Sequence, residues 1–170
     1  MFTLEARVEP GIPPYHPMSV RKVVLLSVCT FSAYQIHWFY RNWWAARLRT
    51  GARVNPLRRT LFFPVTCYSL FRRIRASAVD RSVESGFKPI LSGLLCSVFA
   101  LFWRLDETFW PTVLLTIVPL VAAQREINRI GQIVTPGIEP EDTYSNWEKL
   151  LVGAGGLAFV LALVGTIYVL

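Results

Sequence analysis

The last twenty-one residues of this chain, 150–170, contain no charged side chain, and this run limits the possible folds more than any other feature. A helix of about 20 apolar residues crosses the roughly 30 Å hydrocarbon core of a bilayer. Trp147 and Lys149 come directly before the run, and such side chains are common where a helix enters the headgroup layer. The sequence therefore predicts a membrane-spanning helix here.

Three other apolar stretches are predicted as spans, at about residues 20–44, 89–104 and 108–124. The last two are slightly short for a full crossing, and the polar turn between them predicts a helical hairpin. Hydrophobic residues make up 53% of the chain, and the mean hydropathy of +0.39 is above that of ordinary soluble domains. The sequence thus predicts an all-α, polytopic helical membrane protein with about four transmembrane helices.

The chain before these spans has a different composition. Residues 1–18 hold four prolines, which fix φ and lack an N–H group, so an extended polar arm is predicted. Ser19 is the expected N-cap of the first helix. We therefore expect a Pro-rich N-terminal arm, followed by a single integral membrane domain over residues 19–170.

Residues 60–71 form a short apolar segment with arginines on both sides. Twelve residues of helix cover about 18 Å, which is less than the hydrocarbon thickness. A re-entrant or interfacial helix is predicted, with both ends on the same side of the membrane. Whether the segment spans, re-enters or lies on the membrane stays open.

The basic residues are concentrated in one region: eleven of the eighteen lie between Arg41 and Lys88. Such a bias keeps loops in the cytoplasm, and it also attracts anionic lipid. We expect loops 45–88 and 124–149 to be cytoplasmic and both termini to be outside. Anionic membrane lipids are the predicted partners, with another membrane protein or a second copy as alternatives, and no nucleic acid is expected.

The run TFSAYQIHWFYRNWW, residues 30–44, resembles a motif, TFxxYxxxWFYxNW, of a bacterial integral membrane protein family that is described only as a domain of unknown function. The resemblance extends over most of residues 18–130. Ser32 stands where the family has glycine, and His37 where it has an aromatic residue. The resemblance implies an inner-membrane location and brings no activity.

Two groups of side chains are candidate contact sites. Arginines that flank the short apolar segment are predicted to contact lipid headgroups or a partner, although arginines that only set the topology would look the same. Polar residues near the ends of the predicted spans form a candidate interfacial cluster. The arginines are Arg58, Arg59, Arg72, Arg73 and Arg75, and the polar cluster is His37, Asn42, Gln124 and Asn128.

Small residues recur every four positions in the last span: Ala154, Ala158, Ala162 and Thr166. Small side chains let two helices approach closely in lipid, where there is no hydrophobic drive to bring them together. The stripe is predicted to pack against another helix. Packing within the chain is favoured over packing between chains.

No phosphate-binding loop, nucleophile elbow or paired-carboxylate motif is present, so no catalytic residue is predicted and an enzyme is disfavoured. The three cysteines are expected to be free buried thiols, and no metal or other cofactor is predicted. The leading functional hypothesis is a scaffold or accessory subunit that binds through its basic face. An oligomeric transport module and a membrane-embedded lipid-modifying enzyme are the alternatives.

Overall fold

The computed structural model describes residues 14–50, 55–102 and 107–169, and this part of the chain is helical, as predicted. The only β-type pairing within it is an isolated bridge between Met18 and Glu141. The described helices are α1 (Val20–Cys29), α2 (Tyr34–Thr50), α3 (Pro56–Leu61), α4 (Phe63–Val79), α5 (Pro89–Phe102), a 3-10 helix (Glu107–Thr116), α6 (Ile117–Val134) and α7 (Asn146–Val169).

The stretch 20–44, predicted as one span, is two helices with a sharp change of direction. The side chain of Ser19 caps α1 as predicted, by accepting a bond from the Lys22 N–H. Phe31 and Ser32 then adopt positive φ values of 50° and 67°, which end the helix. The Tyr34 hydroxyl reaches the sulfur of Met18 at 3.4 Å, whereas a straight helix would separate these residues by about 24 Å. The prediction of one continuous span here is therefore wrong.

Segment 60–71 is also divided between two helices. The chain bends at Phe62, and the Thr66 hydroxyl reaches back to the Arg59 carbonyl at 2.5 Å, a contact that a straight helix does not permit across seven residues. Pro64 lies in the first turn of α4, where its missing N–H costs nothing. The helix continues to Val79, eight residues beyond the predicted end.

The predicted hairpin is present in a modified form. Its first arm is α5, which packs along α4, and its tip at 103–106 lies outside the described residues. The second arm begins as the 3-10 helix, which contains Pro111, and then becomes α6. Because α6 continues to Val134, residues 125–134 belong to this arm and not to a separate polar segment.

The core lies where α2, α4 and α6 meet. Its largest side chains are aromatic: Trp38, Phe39, Trp43 and Phe71 are buried, and Phe39 packs against both Phe71 and Phe63. Tyr15 and Met18 belong to this core as well. The end of the N-terminal arm is thus part of the packed structure, which its proline-rich composition did not indicate.

Helix α7 has the length and composition of a membrane span over Asn146–Thr166, as predicted, and its apolar 18-residue window contains no buried residue. It packs on α1, while Leu157 and Leu161 are more than 60% exposed. It is the only helix in the described residues that is long and apolar enough to cross a membrane, and α5 is apolar but shorter.

The predicted topology places the N-terminal arm and loop 124–149 on opposite sides of the bilayer, and the structure brings them together. The Ser19 N–H donates to the Glu141 carbonyl at 3.0 Å, and the Glu141 N–H donates to the Pro17 carbonyl at 3.2 Å. Two segments joined by backbone hydrogen bonds lie on one side. The prediction therefore fails for the arm, because α1 and α2 form a bend and do not cross once.

Candidate functional site

Three of the four residues of the predicted polar cluster lie around the end of the N-terminal arm. Asn42 accepts a hydrogen bond from the His16 N–H at 3.3 Å, and Asn128 donates to the Met18 carbonyl at 2.9 Å. Gln124 donates to Asn128 and to the His16 carbonyl. These side chains satisfy backbone groups of the arm, which would be costly to bury unpaired.

The same network continues into the aromatic core. The Trp38 indole N–H donates to the Gln124 side-chain oxygen at 2.6 Å, and the Asn42 amide donates to the Trp38 carbonyl. Gln124 and Asn42 are fully buried. Their hydrogen-bonding groups are used inside the protein, so the cluster is a structural anchor for the arm.

His37, the fourth member, lies elsewhere. Its ring contacts the rings of Tyr34 and Trp147, with centroid distances of 5.5 Å in both cases. These contacts link α2 to the start of α7. The structure therefore does not bring His37 together with Asn42, Gln124 and Asn128 as one group.

A buried lysine that the sequence did not single out joins α1 to α7. Lys22 is fully buried on α1, and its ammonium group lies 2.8 Å from Glu141 and 3.0 Å from Glu148. It also donates to the Thr143 carbonyl at 2.7 Å. Glu148 in turn accepts from the N–H and hydroxyl of Ser145, a capping box at the start of α7. All three lysine donors have acceptors.

His16 lies at the edge of this network. Its ring is 3.7 Å from Glu141 and 3.4 Å from the guanidinium of Arg41. Burial, and next the positive charge of Arg41, lower the pKa of His16 to about 4, while Glu141 acts in the opposite direction. His16 is therefore uncharged at neutral pH.

Two of the predicted arginines converge on one buried tryptophan. The guanidinium carbon of Arg59, on α3, is 4.4 Å from the centre of the Trp43 ring, and that of Arg73, on α4, is 6.0 Å from it. Both distances are within the range of cation–π attraction. Burial, and next the positive charge of the nearby Arg73, lower the pKa of Arg59.

The remaining predicted arginines are placed differently. Arg58 and Arg72, the sequence neighbours of the converging pair, are exposed. Arg75 lies 3.8 Å from the buried carboxylate of Glu126 on α6. Among the ion pairs found in the described part of the chain, none involves Arg59 or Arg73. This pair of charges therefore lacks a carboxylate partner there, and the Trp43 indole N–H beside it has no hydrogen-bond partner.

The small-residue stripe of α7 is divided between two environments. Ala154 and Ala158 are exposed, whereas Ala162 and Thr166 are half-buried and line a cavity. The close contact with α1 is made by Gly155, where an added Cβ would lie 2.1 Å from the Cys29 carbonyl oxygen. The sequence predicts small residues at the packed face, but the residue that requires the close approach is this glycine.

The three cysteines are free and buried, as predicted. The Cys67 thiol, on α4, is in hydrogen-bonding contact with the Gly93 carbonyl and the Ser97 hydroxyl of α5, at 3.5 Å in both cases. Gly93 permits this close approach, since an added Cβ there would lie 2.9 Å from the Tyr68 Cβ. Within the described residues no group of three or more His, Cys, Asp or Glu side chains is arranged to hold a metal ion.

Two functional features were missed by sequence reasoning. Lys22 was not predicted as a site, because its partners lie about 120 positions away along the chain. Trp43 was not predicted as a site either, although the arginine pairs at 58–59 and 72–73 were. No local pattern indicates which arginine of each pair turns inward.

No protein-family model matches this chain, and no match is found among curated proteins or among solved structures. The resemblance through residues 30–44 therefore stays an expectation.

Proposed function

We propose that this chain is a multi-pass protein of the bacterial inner membrane, a scaffold or accessory subunit that binds anionic phospholipid headgroups through Arg59 and Arg73. One observation carries the proposal: two guanidinium groups lie against the Trp43 ring, and no carboxylate is paired with them in the described residues. Close like charges are unfavourable unless an anion joins them, and arginine donors fit phosphate oxygens in a bidentate manner.

The surroundings of the pair support a membrane setting. Leu61, Phe62 and Val65, close to Arg59 in sequence, are each more than half exposed. Apolar side chains of this size beside arginines are typical of a lipid interface, where the aliphatic part of arginine covers hydrocarbon and its guanidinium reaches the headgroups. In this proposal the bend at Phe62 lies in the outer hydrocarbon, and the arginines lie at the depth of the phosphates.

The proposed topology differs from the sequence-based one in one respect. Helix α7 and both arms of the α5–α6 hairpin cross the bilayer, while the N-terminal arm lies on the same side as loop 135–145 and the arginines. The positive-inside rule places that side in the cytoplasm. A structural role is favoured over catalysis because the buried amides of Asn42 and Gln124 are already bonded to the arm and core.

The test uses purified protein in a mild neutral detergent with equal amounts of phosphatidylglycerol and phosphatidylcholine, and native mass spectrometry counts the lipids retained. Arg59→Gln with Arg73→Gln removes the converging pair, and Arg58→Gln with Arg72→Gln removes the same net charge from the exposed neighbours. At about 1 kcal/mol for each charge, the first variant should lose roughly 30-fold of its preference for phosphatidylglycerol.

The control pair should change this preference by less than about threefold, which is the scale of a weak exposed charge. Equal losses in both variants would mean that the basic face acts only through its total charge. No loss in either variant would refute headgroup binding at Arg59 and Arg73.

A further inference from the structure

A cavity of about 530 Å³ lies between the α1–α2 bend and the C-terminal half of α7. This volume is within the range of about 300–1,000 Å³ that small-molecule sites occupy. Its walls include Phe31, Ile36, Phe63, Val113 and Ala162, so they are largely apolar. It is separate from the arginine pair and from the polar network around the arm.

The polar side chains of this cavity already have partners. The Ser32 hydroxyl donates to the Val113 carbonyl at 3.2 Å, and the Gln35 amide donates to the Thr116 hydroxyl at 2.7 Å. Thr166 donates to the Ala162 carbonyl at 2.9 Å. Because these donors already have hydrogen-bond acceptors inside the protein, they do not require a polar ligand. The cavity is therefore suited to bind a hydrocarbon chain.

The position of the cavity relative to the arginine pair is the second observation. Ile36 lines the cavity and Trp43 lies under the arginines, seven residues apart on one face of α2, which is about 10 Å along the helix. Phe63, the first residue of α4, also lines the cavity, and it follows Arg59 of α3 by four residues. The Phe63 ring stacks on Phe39 at 5.4 Å and fixes this spacing.

We propose that the cavity holds one acyl chain of the phospholipid whose phosphate lies against Arg59 and Arg73. The inference rests on the proposed headgroup function and extends it from a charged surface to a built site for one lipid molecule. A cationic end and an apolar end about 10 Å apart match an anionic amphiphile and not a free phosphate.

The acyl chain of the lipid has a lateral route into the cavity. Ala162 on α7 and Ile36 on α2 line the cavity, and the Ile36 side chain is 52% exposed, so the cavity opens to the surface beside α7. Since α7 is the helix with the length and composition of a span, its exposed side chains meet bilayer hydrocarbon. An acyl chain therefore reaches the cavity without leaving the hydrocarbon.

The experiment places a tryptophan side chain in the cavity from its α7 wall and measures whether lipid is still retained. Ala162→Trp and, separately, Thr166→Trp place an indole in the space, and Ala158→Trp places the same group on an exposed position of α7, one turn away. Native mass spectrometry in neutral detergent, with phosphatidylglycerol as the probe, gives the fraction of protein that retains one lipid. Both cavity variants should lower the affinity by about tenfold, and Ala158→Trp should leave it unchanged.

Folding is checked by far-UV circular dichroism and gel filtration of each variant. If one cavity variant fails to fold, the other decides the outcome. Both positions are half-buried at the cavity wall, so an added indole displaces the occupant and not the core.

The outcomes separate this inference from the headgroup proposal. One outcome is that the cavity variants retain phosphatidylglycerol with the same affinity as Ala158→Trp, while the Arg59 and Arg73 double variant loses its preference for this lipid. The proposed acyl-chain site is then wrong, and the headgroup site stands. In that case the acyl chains of the retained lipid lie only on the outer surface of the protein. If filling the cavity releases the lipid but the arginine variant has no effect, the headgroup proposal fails, and the joint site fails with it.

Discussion

Replacing Lys22 by methionine should destabilise the fold more than any other change of a single charge in the described helices. The ammonium group is fully buried and joins Glu141, Glu148 and the Thr143 carbonyl. Methionine keeps most of the side-chain volume but leaves the Glu148 carboxylate, which is 6% exposed, without its cation. Breaking a buried pair in this way costs about 3–5 kcal/mol.

The expected loss is at the low end of that range, about 3 kcal/mol, because two features soften it. The Glu141 side chain is 48% exposed and regains water, and Glu148 keeps its bonds to Ser145. A loss of 3 kcal/mol lowers the folding equilibrium constant by roughly 100-fold.

The assay is equilibrium unfolding in mixed micelles, in which a denaturing detergent is titrated and tryptophan fluorescence is followed. Arg21→Met is the matched control, because the neighbouring side chain is exposed and the change in charge is the same. The control should stay within about 0.5 kcal/mol of the parent. Adding Glu148→Gln to Lys22→Met should recover part of the loss, since no carboxylate is then left buried and charged. Equal stability of the Lys22 and Arg21 variants would refute the buried network as a source of stability.

Three further changes test other parts of the structure. The pKa of His16 is 6.5 in the unfolded chain and about 4 in the folded protein, so the unfolded chain binds more protons between these two pH values. The contribution of His16 to stability should therefore be full above pH 6.5 and should decrease as the pH falls towards 4. In a plot of the unfolding midpoint against pH, His16→Gln should reduce the slope between pH 6.5 and 4. Gly155→Leu should lower the thermal unfolding midpoint strongly, because the added Cβ would collide with the Cys29 carbonyl oxygen. Gly153→Leu is the control and should leave the midpoint unchanged, because an added Cβ there has no atom within 4 Å. Similar midpoints for the two variants would show that α7 does not pack closely on α1. Gln124→Leu should cost about 1–3 kcal/mol in the same unfolding titration, since it leaves the buried Trp38 indole N–H and the His16 carbonyl unpaired. Limited proteolysis should then cleave the arm near residue 16, and an arm that stays protected would mean that other contacts hold it.

The parts of the fold that could be predicted depend on local pattern. The uncharged run that became α7 needed no knowledge of its neighbours, and the Ser19 cap follows from the residue type at a helix start. The grouping of Asn42, Gln124 and Asn128 was also predictable, because each ends an apolar stretch at similar depth. Their role could not be predicted, since their partner is backbone of the arm.

The α1–α2 bend shows why the rest was inaccessible. Neither Phe31 nor Ser32 is a residue that favours positive φ, so a long and mostly apolar run indicated a continuous helix. Tertiary contacts stabilise the strained turn, including the Phe31 ring on Phe159 and the Ser32 hydroxyl on Val113. Such contacts join positions about 80 or more residues apart, and no local window contains them.

The ion network of Lys22 also has a consequence for how the protein is made. Its two glutamates are encoded about 120 residues after the lysine, and ribosomes add about 5–20 residues per second, so α1 exists for roughly 6–24 s before its partners have been synthesised. During that interval the lysine lacks both carboxylates that neutralise it in the folded protein. The packing of α1 on α7 is therefore completed only after α7 has been synthesised.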